Sequence, residues 1–302
     1  DRTRLSLGLR RTTDEFTSKQ DNFISILMPA PVIAAQTCDR EVVTEYSSTT
    51  SRVVIQHDLT SGSNVYASLS EGFKAGGYAT YECTEPYDPE EVTSLEFGYK
   101  GSLGENTSLN ASLFRYDYTD FQVLQVVGIQ TVTRNAGDAT VNGLELEALS
   151  NLNDSLSMSY GLTLLDATYG EFLNTNGLEP QLGQQQLEGK YLNNAPKVSV
   201  NLGLNYTTNL SSGSSLTYRA NAAYKSKIYF SEFNEYSQSA YTIVDLNLIW
   251  ESADDRMRTR FYVKNATDEE YISGYLSSAT GGGRFGQWGY PRTAGIEIQR
   301  NF

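Results

Sequence analysis

Ile296-Glu297-Ile298-Gln299-Arg300-Asn301-Phe302 alternates apolar and polar side chains and closes the chain on a phenylalanine. The closing strand of a bacterial outer-membrane barrel ends in this way, with Ile296, Ile298 and Phe302 as its terminal insertion signal, so every upstream strand has to be tested as membrane wall. The same period of two runs through most of the chain. From Pro196 to Tyr206, Val198, Val200, Leu202, Leu204 and Tyr206 fall on one side, while Lys197, Ser199, Asn201, Gly203 and Asn205 fall on the other. Successive side chains of a strand point to opposite faces, so one face is apolar and the other wet. That contrast fits either a half-buried strand of a soluble sandwich or a strand with lipid on one side and a lumen on the other.

At 302 residues the chain is long enough for one large all-β domain or two small ones. Hydrophobic residues make up 39% and charged residues 20%, and no run approaches the roughly 20 consecutive apolar residues of a transmembrane helix. A barrel is compatible with such a composition, because only alternate residues of each strand meet lipid. The 21 Tyr, 12 Phe and 2 Trp suit aromatic belts at two membrane interfaces, although carbohydrate-binding sandwiches are Tyr-rich too. A net charge of -13, from 23 Lys and Arg against 36 acids, excludes a nucleic-acid partner, which needs a basic footprint. No charged-then-apolar leader opens the sequence, and Asp1 to Arg10 already alternate as in mid-strand, so the chain is expected to begin partway through a longer protein.

Alternation and turn signals together give about a dozen strands, at 2–12, 50–59, 63–72, 91–102, 106–121, 137–150, 154–169, 196–208, 214–228, 240–251, 257–266 and 292–302. Their connections sort by length. Those at 60–62, 103–105, 151–153, 210–213 and 252–255 are tight and rich in Gly, Ser, Asn and Asp. The alternating ones, at 13–49, 73–90, 170–195, 229–239 and 267–291, are long, with only the one near Gly128 short. All long connections then lie at one end, as in outer-membrane barrels with brief periplasmic turns and extended external loops. A soluble sandwich meets the same solvent at both ends and has no reason to sort its loops. The last strand runs inward, placing the carboxyl terminus at the periplasmic side and the long loops outside the cell. Glu145 and Glu147 fall opposite Leu144, Leu146 and Ala148, on the lumen side where a carboxylate is solvated. Phe114, Tyr116 and Tyr118 take the phase opposite to Leu109, Ala111 and Leu113, which requires a bulge or an aromatic lumen patch.

Several segments resemble the TonB-dependent outer-membrane receptors. They are Tyr66-Ala67-Ser68-Leu69-Ser70-Glu71-Gly72-Phe73-Lys74-Ala75-Gly76-Gly77-Tyr78, the run from Tyr87 to Lys100, Asn135-Ala136-Gly137 with Gly143-Leu144-Glu145-Leu146-Glu147, the run from Val263 to Tyr271, and Gly289-Tyr290-Pro291-Arg292-Thr293 with Phe302. They span residues 66 to 302 in the family's order. The resemblance implies a plugged barrel of 22 strands that imports scarce nutrients such as ferric siderophores, cobalamin or oligosaccharides with energy delivered by TonB. The expected fold is therefore all-β: an antiparallel transmembrane β-barrel segment, residues 1–302, supplying about 12 strands of the larger wall. The plug domain, the signal peptide and the TonB-contacting segment are expected to lie outside this chain. Its partners would be outer-membrane lipid and lipopolysaccharide, its own plug, the TonB complex and a small nutrient cargo. Arg300 departs from the pattern, sitting in the lipid-facing phase near the rim, where it can snorkel to headgroups. A passive porin or adhesin-like barrel is the alternative, and a soluble carbohydrate-binding sandwich the more distant one.

No catalytic, cofactor or metal site emerges from the residues. His57 is the single histidine, with no ligand partner at metal spacing and no triad, and reads as a solvated rim or lumen residue. Glu145 and Glu147 stand roughly 7 Å apart along a strand, within the range of a glycosidase pair, but the simpler reading is two lumen carboxylates that bond the plug. Glu90 and Glu91, and Asp268, Glu269 and Glu270, read as solvated rims. Cys38 and Cys83 fall in the first two long loops, where a disulfide would restrain the entrance. The glycine-rich loop Ala279–Trp288 lacks the Lys-Ser/Thr ending of a phosphate cradle; its Arg284 and Trp288 are candidate contacts for an anionic or sugar-like cargo. As an isolated half wall the chain is expected to form no stable pore, because a free edge strand in lipid leaves backbone groups unpaired.

Overall fold

The computed structural model describes residues 2–22, 38–78, 86–127, 130–135, 137–278 and 283–302. Twenty strands occur among them: β1 (Thr3–Asn22), β2 (Cys38–Thr60), β3 (Ser63–Lys74), β4 (Glu90–Leu103), β5 (Thr107–Thr119), β6 (Gln122–Val127), β7 (Gln130–Asn135), β8 (Ala139–Asn151), β9 (Leu156–Tyr169) and β10 (Leu173–Thr175). The chain continues with β11 (Gln184–Gln186), β12 (Val198–Asn209), β13 (Ser215–Lys225), β14 (Ile228–Tyr229), β15 (Ser237–Gln238), β16 (Tyr241–Glu251), β17 (Met257–Lys264), β18 (Ile272–Ser278), β19 (Gly283–Trp288) and β20 (Thr293–Arg300). Twelve join in one sheet, in the order β1-β2-β3-β4-β5-β8-β9-β12-β13-β16-β17-β20, and every neighbouring pair is antiparallel. These are the strands expected from alternation, in the expected order. The remaining eight form four small hairpins within the long connections.

Two expectations about the connections need correction. The span 13–49 is largely strand, since β1 pairs with β2 without interruption from Thr3↔His57 to Asn22↔Cys38. A tilted crossing needs about 9–11 residues, so the outer half of this hairpin projects beyond the apolar zone. Its Thr12, Thr13, Thr17, Val42, Val43 and Thr44 favour extended backbone, but both faces are polar enough that hydropathy alternation fades. The connection near Gly128 is not short either. It runs from 120 to 138 and carries the β6–β7 hairpin.

Register decides which surface is which. Leu5, Ile55, Ala67, Phe97, Leu113, Leu144, Leu164 and Val198 form one row of directly opposed residues across eight strands. Met158, Leu204, Ala220, Leu246, Val263 and Ala294 form a second row that reaches β20. A slip of one residue would send either row to the other face. These side chains are not covered: Leu5 is 63% exposed, Phe97 51% and Leu113 57%. In a sandwich such rows interdigitate with a second sheet; here no second sheet meets them, and the sandwich reading fails.

The opposite face is a polar mesh. Arg219 Nε donates to Asn205 Oδ1 at 2.9 Å, Arg260 Nε donates to Asn247 Oδ1 at 2.8 Å, and Arg260 pairs with Glu297 at 3.5 Å. Glu145 stands opposite Ser112 and Thr163, and Glu147 opposite Asn110 and Gly161. The pairing of β5 with β4 and β8 shows no shift, so of the two sequence alternatives the aromatic patch is the one present. Phe114 and Tyr116 stack at 4.8 Å on this face. Phe114 lies across Gly143 of β8, where any Cβ would run into its ring, so glycine is what admits the aromatic.

The two rims differ. One carries tight turns, in which Gly213 (φ 82) and Asp255 (φ 55) supply left-handed backbone. The other carries all the long connections, stapled by side chains from the segments that carry the family resemblance. Asn135 accepts from the Asp88 N–H at 2.7 Å and donates to the carbonyls of Asp88 and Asp120 at 2.9 and 2.7 Å. Asn265 is 4% exposed; it donates to the carbonyls of Glu269 and Tyr290 and accepts from the Glu269 N–H. Arg292 pairs with Asp268 at 3.4 Å. Each staple satisfies backbone groups that a loop would otherwise leave to solvent.

Candidate functional site

The long-connection rim has a small apolar core of its own. Tyr169, Phe172, Leu187 and Phe233 are buried together, with Phe121, Val123 and Leu192 packed against them. Three connections thus share one cluster: 120–138, 170–197 and 226–240. Lys190 Nζ caps the Phe233 carbonyl at 2.8 Å, and Asn234 holds Tyr191 through both its backbone N–H and its carbonyl.

The β18–β19 hairpin joins this assembly through stacked planes. Phe230 lies 5.8 Å from Tyr275, Tyr275 lies 5.2 Å from Tyr236, and the Arg284 guanidinium sits 4.1 Å above the Tyr236 ring. Offset stacking and cation–π contact each favour this order. Arg284 also reaches Glu179 at 3.6 Å and Glu235 at 4.0 Å, so one cation links the 170–197, 226–240 and 265–292 connections. Beneath it lies a cavity of about 40 Å³ lined by Asn176, Ser231, Glu232, Glu235 and Tyr275 among others. The Ser231 and Tyr275 hydroxyls are buried without a hydrogen-bond partner among the described residues. At about 10–15 Å³ per water such a space holds a few waters at most, and no chelate or sugar. A cargo must therefore engage the upper surface of the cluster or displace it.

The family model for TonB dependent receptor-like β-barrels matches residues 1–266. The chain belongs to that family. The pesticin receptor of Yersinia pestis is 26% identical over 250 residues, which cover 81% of this chain and 34% of that protein. The ferrioxamine B receptor of Salmonella typhimurium strain LT2 is 22% identical over 231 residues, covering 75% and 31%. The chain thus spans about a third of the length of the curated relatives it matches. The crystal structure of the ferric yersiniabactin uptake receptor FyuA from Yersinia pestis superposes with a TM-score of 0.79 at 20% identity, covering all of this chain and 43% of that one. The family is one of outer-membrane transport receptors rather than enzymes.

Within this receptor wall the sequence candidates separate. Arg284 enters the rim cluster, whereas Trp288, at the far end of β19, stays 66% exposed; the supposed glycine-rich loop is in part the β19 strand. Glu145 and Glu147 lie on the polar face of β8, outside the cluster. His57 lies on the apolar face at the tight-turn rim, its Nδ1 2.8 Å from Thr3 Oγ1, so it is a rim residue and not a lumen one. Glu90 is not simply solvated, because its carboxylate accepts from the Gln122 N–H at 2.7 Å. Cys38 opens β2, while Cys83 lies outside the described residues, and with it the disulfide expectation. Arg300 stands over the Phe302 ring at 5.2 Å. The sequence reading missed Glu179, Glu232, Glu235, Tyr236 and Tyr275; four aromatics within 229–236 were the available signal.

Glu232 is the titrating member of the cluster. Burial pushes its carboxyl above the ordinary range and Glu235 adds repulsion, against hydrogen bonds from its own backbone N–H and from Asn193. Asn174 Nδ2 donates to it at 3.1 Å. The folded carboxyl holds its proton more readily than the unfolded one, so the cluster is most stable below the ordinary Glu pKa of about 4.3. It loses that stability as pH rises through the raised folded value. Amide exchange of residues 170–195 is expected to quicken from acid to neutral pH beyond its intrinsic rise. Glu232→Gln, which keeps an acceptor for Asn174, should flatten that excess; an unchanged excess in the variant would refute the assignment.

Proposed function

We propose that residues 1–302 are the carboxyl-terminal part of the barrel wall of a TonB-dependent receptor that actively imports a scarce nutrient, a ferric siderophore first, with cobalamin or an oligosaccharide as the other cargo classes. The carrying observation is the family match over an open twelve-stranded sheet whose outer strands, β1 and β20, each pair on one side only. Twelve strands are about half of the 22-stranded, plugged wall of such transporters, so the remaining wall, the plug and the TonB-contacting segment belong elsewhere in a longer protein. The siderophore preference rests on the printed names of relatives and on the cation and stacked aromatics at the long-connection rim. In this reading the apolar face meets lipid, the long connections face outward beside lipopolysaccharide, and the carboxyl terminus lies at the periplasmic side. External loops capture cargo, Glu145 and Glu147 bond the plug, and plug rearrangement opens the path. The wall performs no chemistry.

Iron-limited growth and labelled ferric siderophore uptake in a deletion strain test this. Complementation by the full-length gene, abolished when the proton gradient is collapsed, is the expected result. Uptake that survives the collapse would mean a passive porin. Arg284→Ala should raise the half-saturating cargo concentration about tenfold, the equivalent of one lost charge-assisted contact, at unchanged maximal rate. An unaltered half-saturation would remove Arg284 from the cargo surface.

A further inference from the structure

The apolar face carries a trough that has a polar end. Leu95, Leu113, Leu144 and Leu164 line a hollow of about 470 Å³ that finishes at Arg115, Asn142, Asp166 and Lys197. A second hollow of about 590 Å³ shares Phe97, Leu113 and Leu144 with it and continues to His57. Together they run from the long-connection rim to the tight-turn rim. Both volumes lie in the range of small-molecule sites, about 300–1,000 Å³. The small side chains of Ala67 and Ala111 deepen the floor between Phe97, Tyr99 and Leu146.

The polar end has unused capacity. Arg115 spends two N–H groups on Asp117, at 2.7 and 2.8 Å, and one on Asn142 at 3.3 Å, leaving two of the guanidinium's five donors. Lys197 bonds Tyr191 through one of its three N–H groups. Asp166 lies near enough to bias the charge of Lys197. Cations and carboxylates therefore stand side by side above an apolar channel. A phosphate answers the cations, sugar hydroxyls answer the carboxylates, and an acyl chain answers the channel.

We propose that this trough binds one molecule of a phosphorylated, multiply acylated glycolipid, with an acyl chain over Leu113 and Leu144 and its phosphate on Arg115 and Lys197. The inference rests on the proposed membrane setting, in which this face meets lipid and this rim is the outer one. It adds a fixed lipid site that neither the fold nor cargo uptake requires.

The test uses the full-length receptor, stripped of lipid in detergent and titrated with purified lipid A or, separately, phosphatidylethanolamine, with adducts counted by native mass spectrometry. One retained lipid A is expected. Occupancy should fall at least about fivefold, roughly 1 kcal/mol, in the Arg115→Ala, Lys197→Ala pair and also in Leu113→Trp, which fills the channel without touching the charges. The charge-keeping pair Arg115→Lys, Lys197→Arg should retain the adduct. Heat-modifiable gel migration checks folding, and if the alanine pair fails that check Leu113→Trp decides. Equal occupancy in the variants, or preference for phosphatidylethanolamine, overturns the proposal. An epitope inserted at the Ser211–Ser212 turn separates the two failures: labelling on intact cells sinks the orientation, while the detergent titration stands apart from it.

Discussion

Deleting Phe302 is expected to lower the amount of receptor assembled in the outer membrane several-fold, about fivefold or more, without changing the stability of barrel refolded in vitro. The two readouts separate because Phe302 does almost nothing for the folded sheet. It lies beyond the end of β20, is fully exposed, and meets only the Arg300 guanidinium. A residue that buries no surface contributes little stability, so its effect must arise while the chain is still being recognised. Phe302→Tyr keeps the aromatic end and should assemble normally. Equal membrane levels of wild type and the deletion on immunoblots would show that Ile296, Ile298 and Phe302 are not an insertion signal.

The second large effect comes from two adjacent residues of β9. Leu162 stands between Leu146 and Val200 on the apolar face, while Thr163 stands between Glu145 and Ser199 on the polar one. In vesicles Leu162→Arg should cost about 2–4 kcal/mol, the cost of an arginine facing lipid at the midplane. Thr163→Arg puts the same charge beside Glu145 and should cost under about 1 kcal/mol. Denaturant midpoints of the full-length receptor refolded into lipid vesicles measure both. Similar losses at the two positions would contradict the assignment of faces.

Legibility from sequence followed hydropathy contrast. Strands such as β12, with Val198 to Tyr206 against Ser199 to Asn205, announce both their extent and their faces, and the tight turns are marked by residues that tolerate left-handed backbone. Where contrast vanishes the reading stops early: the outer halves of β1 and β2 are strand on both sides of a polar hairpin, held by a ladder that no single side chain announces. The β6–β7 hairpin was hidden because it buries little. The rim cluster was opaque for another reason. Arg284, Glu179, Glu235 and Tyr236 come from three separate connections, and only the sheet order brings those connections together. Sequence could mark Arg284 as a cation in a glycine-rich stretch; it could not say which carboxylates it would meet. The family motifs were legible as motifs, yet their physical role, as in Asn135 and Asn265, is to tie down loops and not to touch cargo.

The most direct test is a spin-label scan along β12 of the full-length receptor in vesicles, with Cys38 and Cys83 replaced and single cysteines placed at 198–206. The account predicts accessibility to oxygen, which partitions into hydrocarbon, peaking at positions 198, 200, 202, 204 and 206. Accessibility to a polar nickel chelate should peak, where the plug leaves room, at 199, 201, 203 and 205. Even positions closed to both probes would mean that the oily rows meet protein in a dry interior, and the membrane wall would be contradicted.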